Sequence, residues 1–231
     1  MAFKRKRTTS NRRFKRKAPA RKYTRFNTRR LRTLIKRTVL KTCESKERTT
    51  LYDKVEMFHN VFTTYHINQA GNMPSQGTQE VQRIGDQINM SGFMLRCLFG
   101  QKVDRPNVTF RYFIVKVPKA SVYSYATWFR NITSNVLLDN INTDFCKVLK
   151  TGVMRPNEAG LSNAGGDEYT FTRKFFIPYK KLIKFGPSDS SQTHNDDDIY
   201  WLIAPYDAFG TLITDNVAYM QAALTLYYKD P

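Results

Sequence analysis

The chain has 231 residues, 38 Lys plus Arg against 19 Asp plus Glu, a formal net charge of +19, and 41% hydrophobic and 13% aromatic residues, enough apolar material for a globular domain. No apolar stretch of about 7 to 15 residues follows the basic N-terminus, which argues against a secretion signal, and no run nears about 18 consecutive apolar residues, so membrane insertion is not expected. Cys43, Cys97 and Cys146 are widely spaced, without a C-x-x-C pair, the pattern of reduced buried thiols in an intracellular protein rather than of disulfides or a zinc finger.

The excess charge sits at one end. Residues 1–41 hold 7 Lys, 11 Arg and no acidic residue, which leaves 20 basic and 19 acidic residues in the rest of the chain. So cationic a block repels itself and is expected to stay disordered until a polyanion neutralises it, whereas residues 42–231 are expected to fold as one domain. Cations interleaved with Ser and Thr bind phosphate whatever the base sequence. The nucleic-acid-binding candidates are Lys4, Arg5, Lys6, Arg7, Arg12, Arg13, Lys15, Arg16, Lys17, Arg21, Lys22, Arg25, Arg29, Arg30, Arg32, Lys36 and Arg37. Phe3, Phe14, Tyr23 and Phe26 favour an unpaired strand, on whose bases they can stack, or they are incidental apolar content of a tail. Lys4–Arg7 and Arg12–Lys17 also read as a nuclear-localisation signal, and import receptors are then partners. Within the arm, Leu31, Leu34, Ile35 and Val39 follow helical spacing. Residues 27–40 therefore read either as an amphipathic helix capped by Asn27 or Thr28, or as a basic linker that orders only on its partner.

Beyond residue 48 the signal becomes two-residue alternation with β-branched and aromatic enrichment between Gly, Pro, Asn and Asp clusters. Eight strands are predicted: Thr50–Ile67, Gln87–Phe99, Val108–Val117, Phe145–Val153, Tyr169–Ile177, Tyr179–Phe185, Asp198–Ala204 and Val217–Tyr228. The 27 residues between the third and fourth, containing Tyr125–Arg130, have room for a short helix and suit a Greek-key crossover. The fold class is all-β: an eight-stranded antiparallel jelly-roll sandwich with a disordered or partly helical basic N-terminal arm.

Catalytic patterns are missing. There is no G-x-S-x-G, H-E-x-x-H, Walker A or G-x-G-x-x-G segment, and no cofactor is expected. His59 and His66 would fall on opposite faces of an uninterrupted strand and so would not pair. The residues from His194 to Asp198, together with Asp189, form the densest acidic patch. It reads as a solvated loop entering a strand, with an oxygen-ligated cation as the alternative. Asp139, Asp144, Asp167 and Glu168 sit beside turn residues, where turn and capping duty explains them. The sequons at Asn107 and Asn131 read as ordinary strand and loop residues.

A cationic arm before an eight-stranded sandwich resembles the capsid proteins of small circular single-stranded DNA viruses of the circovirus-like kind, over the whole chain. The stretch Gly77–Ile88, with its R-I-G-x-x-I at Arg83–Ile88, is similar to the entry of an early strand in that family, Phe145–Leu149 to its F-x-V-L strand, and Val217–Asp230 to its closing strand. The resemblance implies a shell protein of a virion that passes through the host nucleus. It would assemble with itself, about sixty copies in the smallest icosahedral (T=1) arrangement, and package single-stranded nucleic acid, DNA rather than RNA, on its arm. The fold is also similar to coats of small satellite plant viruses, where a basic helix lies under the shell. A nuclear or ribosomal nucleic-acid-binding module with a basic tail is the alternative reading. A nucleic-acid enzyme ranks behind it for want of clustered carboxylates.

Overall fold

A computed structural model describes residues 28–102, 104–105, 107–119, 124–132, 135–155, 169–186, 192–194, 196–208 and 211–230. The chain divides into two units, residues 1–38 and 39–231.

Helix α1, Thr28–Thr42, contains no Gly or Pro and takes the helical alternative of the sequence reading. It stops where the Cys43 N–H bonds the Val39 carbonyl (3.0 Å) and the chain turns extended. The Lys229 Nζ donates to the Leu40 carbonyl (2.6 Å), so a cation satisfies one of the carbonyls left over in the last turn.

Ten strands follow in order: β1 Glu44–Phe58, β2 Thr63–His66, β3 Gln87–Gln101, β4 Thr109–Val117, β5 Phe129–Asn131, β6 Asn140–Ile141, β7 Lys147–Met154, β8 Tyr169–Lys184, β9 Asp198–Tyr206 and β10 Asn216–Asp230. Eight of them build two antiparallel sheets with strand orders β1-β10-β3-β8 and β2-β9-β4-β7. Successive sandwich strands change sheet at every connection except β4 to β7, which are neighbours. That is jelly-roll connectivity, an architecture of viral capsid and lectin domains.

Two predicted boundaries are wrong, and each has a local cause. The run Thr50–Ile67 is two strands, because Asn60 adopts φ 58°, a left-handed conformation that Asn tolerates. Its side-chain oxygen also accepts from the Val136 N–H (2.9 Å). The chain turns there and crosses from the first sheet to the second. Conversely, Tyr169–Ile177 and Tyr179–Phe185 are one strand that runs through Pro178. β8 is an edge strand, so a missing N–H is tolerated, and the partner strand shifts register between Met90 and Gly92 opposite it. Gly92 is required at that point, since a Cβ would meet the Ile177 carbonyl oxygen at 2.6 Å.

The main core lies between the sheets, around Phe93, Leu95, Phe99, Phe110, Ile114, Trp201 and Leu224. A second cluster covers the far side of the second sheet. The connection between β4 and β7 forms helix α2 (Tyr125–Trp128) and the β5–β6 hairpin, as the 27-residue spacing allowed. It seats Trp128, Phe129, Ile141 and Cys146 on Phe113, Val115 and Leu202. β9, buried on both faces, therefore reads as an apolar run rather than an alternation. The outer face of the first sheet has no such cover among the described residues.

Candidate nucleic-acid interface

Of the predicted phosphate-binding residues, Lys4, Arg5, Lys6, Arg7, Arg12, Arg13, Lys15, Arg16, Lys17, Arg21, Lys22 and Arg25 lie outside the described residues. Arg29 falls in α1, and Arg30, Arg32, Lys36 and Arg37 stand exposed on it. At about 100° per residue, Arg30, Arg32, Lys36, Arg37 and Lys41 fall on one half of the helix, and Leu31, Leu34, Ile35 and Val39 gather on the other. No acidic residue occupies the first turn, so nothing on the helix neutralises the cations near its positive end. The hydroxyls of Thr38 and Thr42 are turned inward, bonding the carbonyls of Leu34 (3.0 Å) and Val39 (2.8 Å).

The body holds a second concentration of cations, which a whole-domain charge count conceals. β8 carries Arg173, Lys174, Lys180, Lys181 and Lys184 with no acidic residue, whereas β1, at the opposite edge of the same sheet, carries Glu44, Glu47, Asp53 and Glu56. Lys181 is committed to Asp196 (2.6 Å) and Asp197 (3.6 Å). Lys174, Lys180 and Lys184 are exposed and make no ion pair among the described residues. The signal is legible in the sequence segment Arg173–Lys184, which holds five cations and no acidic residue.

The candidate cation site is a structural knot. His194 is not on a solvated loop but buried: its Nε2–H donates to the Asn68 carbonyl (2.7 Å), and its Nδ1 accepts from the Asp196 N–H (3.2 Å). Asp197 pairs with Lys116 and Lys181, Asp196 with Lys181, and Asp198 with His66 (3.3 Å). Lysines thus supply the positive charge a metal would bring, and no metal-holding cluster occurs among the described residues. His59 and His66 are separated by the turn at Asn60 rather than by strand alternation. His59 Nδ1 accepts from the Asp207 N–H (3.1 Å), and His66 stacks on Tyr200 with ring centroids 4.5 Å apart. All three histidines therefore brace β9 or its flanks, and burial is the main influence lowering the pKa of each.

Asp139 is likewise more than a turn residue: it is fully buried and accepts a hydrogen bond from the Tyr125 hydroxyl. Asp144 is exposed and pairs with Arg130 at 3.0 Å, while Asp167, Glu168 and Asp189 lie outside the described residues. Cys97 and Cys146 are buried free thiols, pushed up by burial to about 12 and about 11, and Cys43 is half-buried.

The R-I-G segment has a structural task. Arg83 is fully buried, its guanidinium 4.2 Å from the centre of the Phe185 ring and hydrogen-bonded to the Gly85 carbonyl. The next residue, Ile84, donates its N–H to Asp230 Oδ2 (2.6 Å). The β2–β3 connection is thereby pinned to the end of β10.

No protein-family model and no curated protein sequence matches the chain. Among solved structures, 82% of the chain aligns with 95% of a chain of turnip yellow mosaic virus at 9% identity and TM-score 0.37. It aligns over 82% of its length with 89% of a chain of Desmodium yellow mottle tymovirus at 8% identity and TM-score 0.34. A CocE/NonD family hydrolase from Staphylococcus aureus aligns with 81% of the chain over 37% of its own, at 9% identity and TM-score 0.31. The fold assignment rests on the strand order itself, not on these likenesses.

Proposed function

We propose that the chain is a capsid protein of the circovirus-like kind. Its jelly roll tiles a closed shell of about sixty copies, and its arm, residues 1–41, holds a single-stranded nucleic-acid genome, DNA rather than RNA, inside. The observation that carries the proposal is the pairing of an arm of net charge +18 with a jelly-roll domain close to neutral. Sixty such arms bring about 1,080 positive charges, comparable to the phosphates of a genome of about one to two kilobases, one negative charge each. Connections that expose large apolar side chains, Ile84 after β2, Leu138 between β5 and β6, and Leu212 and Ile213 before β10, suit contacts between subunits. The protein acts by binding rather than catalysis: its histidines and the Asp196–Asp198 carboxylates are engaged in structural contacts. It resides in the virion and, with its basic clusters read by import receptors, in the host nucleus during infection.

Deleting residues 1–41 tests the division of labour. The deletion removes +18 of the +19 charge and none of the described strands. Nucleic-acid uptake is expected to vanish while circular dichroism and thermal melting stay close to the parent's; an unfolded truncation product would make the arm part of the core. In the full chain, Arg12→Ala and Lys17→Ala should each lower the slope of log affinity against log salt by about 0.7 on any single-stranded sequence. A loss confined to one base sequence would mean base readout instead.

A further inference from the structure

The outer face of the first sheet is the one large sandwich surface without cover among the described residues, and its side chains fall into rows set by strand register. One row reads Leu51, Ala223, Arg96, Lys174; the next reads Thr49, Thr225, Met94, Phe176; the next, Glu47, Tyr227, Gly92, Pro178. Residues paired in register share a face. The β3–β8 half of this face thus presents Arg96, Lys174, Lys180 and Lys184 with no carboxylate, and the acidic side chains keep to the β1 edge.

Aromatic rings lie between the cations. Phe176, 49% exposed, sits beside Tyr227 with ring centroids 6.3 Å apart. It leans across Gly92, where an added Cβ would lie 3.0 Å from its ring tip. Gly100 is overlain in the same manner by the Tyr219 ring, at 2.0 Å from an added Cβ. Filling the gap above a strand glycine explains why each ring lies low; it does not explain an exposed Phe along a strand whose exposed Lys174, Lys180 and Lys184 make no ion pair among the described residues. The middle of the face is an open depression of about 640 Å³, with Arg96, Thr172 and Lys174 lining its β3–β8 side and Leu51 and Asp53 its β1 side.

We propose that the β3–β8 half of this face is a second binding site for single-stranded nucleic acid, with backbone phosphates on Arg96, Lys174, Lys180 and Lys184 and unpaired bases stacked on Phe176 and Tyr227. The physics is that of any single-strand platform: a cationic track follows the backbone, and exposed rings on a four-stranded sheet take bases of any identity. The acidic β1 edge confines the strand to the β8 side. The site deepens the packaging reading and rests on it, because it adds a contact of the shell domain to those of the arm.

The test uses the full-length protein and a single-stranded oligonucleotide substituted with 5-iodouracil, photo-cross-linked and mapped by mass spectrometry. Adducts are expected on Phe176 or Tyr227 in addition to residues 1–41. Replacing Lys174, Lys180 and Lys184 together by Gln should lower the log-log salt slope by about 2. Phe176→Leu with Tyr227→Leu should weaken binding about tenfold at fixed salt, with circular dichroism unchanged since all five side chains are at least partly exposed. Adducts confined to residues 1–41 would overturn this site and leave the arm's role standing. Binding and adducts absent altogether would overturn both. A face free of adducts, whose lysine substitutions instead change the sedimentation coefficient, would assign it to a second copy of the chain and overturn the proposal.

Discussion

Both ring nitrogens of His194 are engaged, one donating to the Asn68 carbonyl and the other accepting from the Asp196 N–H, so a second proton enters only by breaking the latter bond. Burial lowers the pKa of this ring, opposed by the Asn68 bond and by Asp198 and Asp196 and reinforced by Lys119. His59 is also lowered mainly by burial, against the pull of Asp207 and Asp215 and with Arg105 adding to it, and His66 by burial against Asp198. The folded chain therefore takes up a second proton on these rings less readily than the unfolded chain, whose histidines protonate near the ordinary 6.5. Stability is full above about pH 6.5 and falls as the pH drops below it, by up to about 1.4 kcal/mol per pH unit for each histidine. Asp197, held below the usual carboxylate range first by its bond to Lys116, stays ionised across that window. Urea melts should show a lower midpoint at pH 5.5 than at pH 7.5. His194→Gln, whose amide can still donate to Asn68, should shrink the difference. A midpoint that is flat or rises with acid would refute this account of β9.

At the scale of elements, two strand glycines separate backbone constraint from side-chain adjustment. A Cβ on Gly92 would meet the Ile177 carbonyl oxygen at 2.6 Å, a backbone atom held by the β3–β8 ladder. On Gly100 it would meet the Tyr219 ring, which can swing aside. Gly92→Ala should therefore cost about 2 kcal/mol or more and Gly100→Ala distinctly less, as read from denaturant midpoints; equal costs would contradict the close approach at the Pro178 bulge. The same pair of strands explains what was legible in the sequence. Alternation located five strands to within a few residues, and the eightfold count of sandwich strands was right. It was right by compensation, however: one predicted strand is divided at Asn60 and two are joined through Pro178. A left-handed Asn and a proline on an edge strand depend on neighbours that periodicity does not report. The arm's charge was plain in composition. The cations of β8 went unmarked because the acids that balance them in the total lie on other elements, four of them on β1 at the far edge of the sheet.

At the scale of the whole molecule, charge and fold divide the labour. The strand ladders, the buried core and the covered second sheet make a domain that needs no ligand to bury its apolar surface, whereas residues 1–41 carry +18 with no acidic partner in the same segment. The central claim is that this combination builds a shell around nucleic acid. The most direct measurement is electron microscopy of the purified full-length protein, with sedimentation, before and after nuclease treatment. Uniform particles of about 20 nm, holding nucleic acid that nuclease does not reach while the shell is closed, are the predicted result. A protein that stays monomeric or dimeric across salt and pH with single-stranded nucleic acid present would contradict it and favour a nucleic-acid-binding module with a basic tail.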